Sequence, residues 1–376
     1  MPGKTAQRKP VRERYRRGWG RGWEQGYQLG RSSGYHLGRC DAVLRQLPDS
    51  PPGWWDIRVM YVTSGKGFPY SPLDESIITG MRGLVRELIV VNPTHNLTET
   101  AKRARPDLML ALDGLNLAVS KVDALRQLGI RTAVWLTDDP YYTDLTLPIV
   151  THYDTVFTLE LECVEFYRQH GCADVHYMPF ASNAQIFRPK PVPAEYRSEV
   201  SFIGSAYWNR VALFDRVAPY LAGRHTYISG IWWDRLRHFH TLGSKIRLNK
   251  WMGAEETAAY YNGTKIAINL HRAVDDATYN NNSRLVGAVS PNPRTFEIAG
   301  CGTLLLTDVR SDLPRFYTPG LEIVTYGSPE ELVHQIDYYL NREEERRTIA
   351  LNALRRTMTE HTYPQRLAQM LRLLFG

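Results

Sequence analysis

Short apolar runs alternate through most of the chain with longer stretches whose apolar residues recur at every third and fourth position. Ile57 to Thr63 predicts a strand, followed by a helix over 74–85, a strand over 86–91, a helix over 97–104 and a strand over 107–112. A helix over 120–128 then leads into the strand Thr132 to Thr137, with a further short strand at Thr155 to Leu159. The rhythm resumes with strand Val200 to Ile203, helix 209–221, strand His225 to Ser229, helix 254–262, strand Lys265 to Leu270, helix 294–300 and strand 303–306. Glu330 to Phe375 reads as helical with a break near Thr362-Tyr363-Pro364. Alternation of this kind belongs to α/β folds whose parallel sheets are covered by helices on both faces. Two stretches have neither period. Residues 178–189 read as a connection between two similar halves, and the polar 273–292 as a long loop over a cleft.

In such sheets ligands gather beyond the carboxyl ends of the strands, so the turns there carry the candidate chemistry. Ser64-Gly65-Lys66-Gly67 is a tight turn that matches no phosphate-binding fingerprint. Asp138-Asp139-Pro140 places two adjacent carboxylates after an apolar strand. One can take a proton from an acceptor hydroxyl while the other orients it, or both can serve only to cap the next element. The richest stretch is Pro293 to Asp308, with Arg294 at a helix start, Glu297 one turn on, and Gly300 and Gly302 turning into an apolar strand. Arg294 suits an anion and Glu297 a pair of ribose hydroxyls, although a surface salt bridge beside an ordinary turn explains the same residues.

Composition narrows the classes. The 376 residues, 43% of them hydrophobic, suffice for two cores, and no apolar run reaches membrane-spanning length. Cysteines at 40, 163, 172 and 301 have neither metal-ligand nor disulfide-framework spacing, and the basic N-terminus has no apolar segment behind it. The expectation is a cytoplasmic protein without a bound metal. Residues 1–45 hold 11 Lys/Arg against 3 Asp/Glu, whereas the remainder holds 35 against 36. The basic character therefore belongs to an appendage, and the body gives no reason to expect a nucleic-acid groove. Within that appendage glycines recur at 18, 22, 26, 30, 34 and 38, with Trp19, Trp23, Tyr27 and Tyr35 each following one of them. On a helix this makes a smooth stripe beside an aromatic ridge, a docking or homo-oligomer face over residues 15–40; a disordered basic arm is the alternative.

The segment Met178 to Pro189 resembles the interdomain connection of GT-B glycosyltransferases, and Phe296-Glu297 with Gly300 and Gly302 resembles their donor-site motif. Asn269-Leu270-His271-Arg272, Pro293-Arg294-Thr295-Phe296-Glu297, His361-Thr362-Tyr363 with Arg366, Asp139-Pro140 and the glycine-periodic tail are together similar to the CgeB-like spore-maturation family. The resemblance implies two Rossmann-like domains facing across a cleft, over 53–180 on the acceptor side and 181–355 on the nucleotide-sugar side. A basic extension over 1–52 precedes them, and a C-terminal helix over 356–376 returns to the first domain. It implies transfer of a sugar, of hexosyl type, from a nucleoside-diphosphate donor, UDP- or dTDP-linked, to an unidentified glycan, protein or small-molecule acceptor. No metal and no other cofactor is called for.

On that reading Glu297 holds the ribose and Arg294 the phosphates or sugar, while Gly204 and Ser205 bring backbone amides to the diphosphate and Arg210 adds positive charge. Lys250, Trp251 and Met252 lie where related enzymes meet the nucleobase; Trp251 stacks there or simply packs. Asp138 and Asp139 are the candidate bases, and His271 at a strand end is a candidate contact to the sugar or phosphate, with a satisfied structural histidine as the commoner alternative. Related enzymes carry a second glutamate eight positions before the one matched by Glu297, where this chain has Val289. That departure keeps a second expectation open: a non-catalytic nucleotide-binding protein with a structural or assembly role in spore maturation.

Overall fold

The computed structural model describes residues 11–47 and 52–376 and begins with α1 (Val11–Leu44). The first ten residues of the basic extension, and most of the proline-rich break over 48–52, lie outside the described residues. A βα alternation follows: β1 (Trp55–Val62), α2 (Ser71–Arg82), β2 (Val85–Val91), α3 (Leu97–Ala104), β3 (Leu108–Leu112), α4 (Val119–Gln127), β4 (Arg131–Trp135), α5 (Thr143–Val150), β5 (Thr155–Thr158), α6 (Glu162–Gln169) and β6 (Val175–Tyr177). These six strands form one parallel sheet in the order β2-β1-β3-β4-β5-β6. Helices cover both faces, which is why β3 is apolar and buried at all five positions instead of alternating.

The second half contains β7 (Ser198–Ile203), α7 (Trp208–Ala222), β8 (Thr226–Gly230), α8 (Phe239–Leu242), β9 (Ile246–Leu248), α9 (Ala254–Gly263), β10 (Thr264–Asn269), α10 (Pro293–Gly300), β11 (Leu304–Asp308), β12 (Val324–Tyr326), α11 (Pro329–Leu340), α12 (Glu343–Glu360) and α13 (Tyr363–Phe375). Its sheet is also parallel, in the order β12-β11-β10-β7-β8-β9. The direction of winding reverses between β1 and β3 in the first sheet and between β7 and β10 in the second. Crevices open at such reversals. The elements that pattern reading did not anticipate are short: α5 contains Pro148, α6 has eight residues, and the edge strands β6, β9 and β12 have three residues each, too few to show a period.

Two crossings join the halves. The connection after β6 and the turn between α12 and α13 run side by side, with Ser182 donating its N–H to the His361 carbonyl at 2.8 Å and Tyr363 donating to the Ser182 carbonyl at 3.2 Å. α13 then packs on the first domain, burying Leu367, Met370, Leu371 and Leu374 in the core that contains Val59, Tyr61 and Trp135. Each such leucine contributes about 1.5–3 kcal/mol of burial, enough to hold the chain end across the crossing. The glycines after Glu297 have separate tasks. Gly302 supplies the left-handed turn at φ +68°, whereas Gly300 lets α10 approach the crossing so closely that a Cβ would lie 2.8 Å from the Phe187 carbonyl oxygen and Ser182 Oγ.

α1 lies against α12, with Cys40 and Val43 meeting Leu351, Leu354 and Met358, and with Ser32 and Arg39 bonded to Glu343 and Glu344. Gly22, Gly26, Gly30, Gly34 and Gly38 have open space where a side chain would be, and Trp19 is 76% exposed. The side chains that touch the body are others on the helix, and Gly30 and Gly34 line an open space between α1 and the body. No helix among the described residues is long and apolar enough to cross a membrane.

Candidate functional site

The C-terminal sheet ends in a cationic corner. Asn292 caps α10 by accepting the Thr295 N–H, Pro293 occupies the first turn, and Arg294 and Glu297 follow one turn apart on the same face. At the end of β7, a Cβ added to Gly204 would lie 3.1 Å from both Arg210 Nη1 and Arg294 Nη2. Two guanidinium groups therefore flank Gly204, whose own N–H is donated to the Ser229 carbonyl at 2.8 Å, so that, contrary to expectation, it is not available to a diphosphate. Arg210 is buried and donates to the Leu270 carbonyl at 2.7 and 3.0 Å and to the Ser205 carbonyl at 2.9 Å. Burial, then the Arg294 charge, brings its pKa down to about 9. Arg294 has no hydrogen-bond or ion-pair partner among the described residues, and neither does the carboxylate of Glu297. Burial pushes Glu297 up to about 7, against the opposing pull of Arg294. Like charges held close with no carboxylate at ion-pair distance among the described residues, one turn from an acceptor that makes no hydrogen bond there, make a corner that an anion bearing hydroxyl groups would complete.

The support behind this corner is backbone-tight. Gly230 at the end of β8 runs so close to Gly204 that a Cβ there would meet the Gly204 oxygen at 2.1 Å, and Trp233 Nε1 donates to that same oxygen at 2.9 Å. His271 is also support. Its Nδ1–H donates to Asp308 Oδ1 at 2.6 Å and its Nε2 accepts the Asn292 N–H at 3.0 Å, which fixes the tautomer and seats the start of α10. Burial lowers its pKa and keeps the ring neutral, with Asp308 opposing. With both nitrogens bound inside the protein, His271 has no group left for a ligand, contrary to the expected sugar or phosphate contact.

The expected nucleobase segment lies at the mouth of the cleft. Trp251 is 52% exposed and meets Phe68 of the first domain edge-on, with ring centroids 6.3 Å apart. Lys250 is paired with Glu256, and Met252 Sδ accepts from the Tyr227 hydroxyl at 3.6 Å.

Across from the cationic corner, the first sheet ends in carboxylates. The adjacent aspartates divide sharply. Asp139 is buried, its oxygens accepting from the Thr158 hydroxyl at 2.6 Å and the Tyr167 hydroxyl at 2.8 Å; burial raises its pKa to about 7. It fastens β5 and α6 together, and both its oxygens are occupied, so the expectation of a base falls to its neighbour alone. Asp138, only partly buried, accepts from the Tyr70 hydroxyl at 3.0 Å and lies 2.8 Å from Thr137 Oγ1. That same hydroxyl is 2.6 Å from Asp113 Oδ1, which also receives Lys66 Nζ at 3.0 Å. One hydroxyl proton cannot serve two carboxylates, so full bonding requires one acid to hold a proton. Burial raises Asp138, and repulsion from Asp113 adds to it, while the Thr137 hydrogen bond and Lys66 oppose.

Lys66, Tyr70 and Asp113 were not singled out as site residues in the sequence. Asp113 is buried at φ +68° ahead of Gly114, and its lysine partner comes from the glycine turn across the β1/β3 reversal. The legible signals were a charged residue inside that turn and an Asp-Gly pair ending an apolar strand. Asp74 holds the turn in place by accepting from the Ser64 amide and hydroxyl and the Tyr61 hydroxyl.

Residues 273–292 bridge the two faces. Asp144 accepts from the Ser283 amide and hydroxyl at 2.7 and 2.8 Å, and Glu160 accepts the Val289 and Ser290 amides at 3.0 and 3.2 Å. Val289, standing where related enzymes have a glutamate, is thus fixed by its backbone. Arg272 lies over the Tyr207 ring at 4.4 Å and over the Tyr141 ring of the first domain at 4.8 Å.

A family described as Glycosyl transferase-like matches residues 210–372. The chain is 28% identical to spore protein CgeB of Bacillus subtilis over 82% of its own length and 96% of that protein. In architecture it is similar to Anabaena HepE, solved in complex with UDP and glucose (TM-score 0.57, 10% identity, 85% of this chain and 99% of that one). It is likewise similar to sucrose-phosphate synthase from Thermosynechococcus elongatus (TM-score 0.55, 12% identity, 85% and 99%). The expected likeness to the CgeB family and the expected GT-B fold are both met.

Proposed function

We propose that this chain, CgeB-like and built on a GT-B scaffold, transfers a hexosyl group from a nucleoside-diphosphate sugar to an acceptor bound against the first domain. One observation carries the reading: Arg294 and Glu297, one helical turn apart on α10, have no side-chain partners among the described residues and lie beside Gly204, which has no side chain to cover the corner. Glu297 accepts hydrogen bonds from the ribose diol, and Arg294, Arg210 and the amide of Ser205 hold the diphosphate, Gly204 leaving room for it by having no side chain. Asp138 takes the proton from the acceptor hydroxyl as its oxygen attacks the anomeric carbon. The bond from that carbon to the diphosphate breaks, and the guanidinium charges and the start of α10 offset the charge left on the departing nucleotide without a metal ion. Lys66 and Asp113 set the protonation of Asp138 through Thr137. A uridine or thymidine nucleotide suits the reading, with its base beside Trp251. HepE carries UDP in the structures of that protein, which supports a uridine donor here.

A second reading rests on Val289 and on the internal bonding of Asp139 and His271: a protein that binds nucleotide without turnover and serves assembly in the spore. Incubating the chain with UDP- and dTDP-sugars and measuring released nucleoside diphosphate separates the two. Release that is lost in Asp138→Asn supports transfer; binding without release supports the silent protein. Nucleotide-induced thermal stabilisation that survives Glu297→Ala refutes the donor site itself.

A further inference from the structure

At the amino-terminal end of the second sheet, opposite the cleft, α1 walls a cavity of about 890 Å³. The other walls are the starts of β7, β10 and β11 at Ser198, Thr264 and Leu304, and the first turns of α12. Sites of this volume take small molecules of metabolite size. The lining is cationic: Arg197, Lys265, Arg346 and Arg347 stand against Glu199 and Glu343. Arg347 is neutralised by Glu343 at 2.5 Å, and Lys265 lies 3.8 Å from Glu199. Arg197 and Arg346 have no carboxylate within ion-pair distance among the described residues. Arg346 is only 6% exposed and donates Nη1 to the Tyr339 carbonyl at 2.7 Å. A guanidinium this buried, with Glu343 near but no carboxylate at ion-pair distance and with open space beside it, is a costly arrangement that a bound anion would relieve.

We propose that this cavity is a second ligand site, separate from the cleft, for a phosphate-bearing small molecule. Arginine presents a planar fork matched to phosphate oxygens, and the unpaired Arg197 and Arg346 supply two of them. Because residues from Gln28 to Cys40 form one wall, the ligand bridges α1 to the body and its binding tightens that contact. The open glycine stripe then lies on a helix whose docking responds to a metabolite.

The test uses the full chain carrying Arg294→Ala, which removes the unpaired phosphate contact of the cleft, with inorganic pyrophosphate as the probe. Calorimetric titration gives the affinity, and hydrogen exchange follows the amides of residues 28–40. Binding persists in this background and slows exchange over 28–40, and Arg346→Gln weakens it about tenfold, the loss of one charge-assisted contact. Should Arg346→Gln unfold, Arg197→Glu at a less buried position decides, with the same loss expected. Pyrophosphate binding abolished by Arg294→Ala, or left unchanged along with the exchange rates by Arg197→Glu, overturns the proposal.

Discussion

The two sheets have the same all-parallel architecture and opposite chemistry at their carboxyl ends. The first gathers Asp113 and Asp138 around a single lysine, and the second gathers Arg210 and Arg294 around a bare glycine. Repulsion from Asp113 adds to the burial that raises Asp138, whereas clustered guanidinium groups favour an anion. The fold supplies two equivalent crevices; the residues at the strand ends make one of them acidic and the other basic.

The sharpest way to break this contrast is Asp138→Asn. Sugar transfer is expected to fall by about 10²–10⁴-fold with nucleotide affinity unchanged, measured as nucleoside-diphosphate release and by calorimetry. Asp139→Asn, which disturbs a buried bond pair, should instead lower the melting temperature; turnover lost at an unaltered melting temperature would reverse the assignment of the two aspartates. Next in size is Leu371→Ala in the crossing helix α13. It should cost about 2–5 kcal/mol of stability in urea denaturation, and a negligible loss would show that the first domain does not depend on the returning helix.

On the phosphate side, Arg294→Ala should weaken nucleotide-sugar binding about tenfold to a hundredfold, whereas Arg294→Lys should restore part of it. The smallest effect concerns pH. Burial holds Glu297 near 7, so its ionised form, the one that accepts from two hydroxyls, predominates above that value and is lost as pH falls through it. UDP-glucose affinity should therefore drop about tenfold between pH 8 and pH 6 and become flat in Glu297→Gln. A profile that rises toward acid would place a protonated Glu297 in the complex instead.

Much of this was legible along the chain. The α/β alternation, the crossing near 178–189 and the pair Arg294 and Glu297 were all readable because period, turn residues and charge at a helix start are local properties. The division between Asp138 and Asp139 was not. Neighbours in sequence point to different sides of the chain, and only the packing of Thr158 and Tyr167 shows which carboxylate is enclosed. His271 had the right strand-end position, yet Asp308 and the Asn292 amide, both distant in sequence, occupy it. Lys66 and Asp113 lay unremarked because their pairing spans the β1/β3 reversal, where two turns 47 residues apart meet.

Sequence by itself determined the period of each helix and strand, the residue types at each strand end and the glycine stripe of α1, since these depend on neighbours three or four positions away. Tertiary structure decided which polar side chains were left without a partner. Partners for buried polar groups come from distant segments, and the chemistry of a side chain here follows from whether packing has already satisfied it.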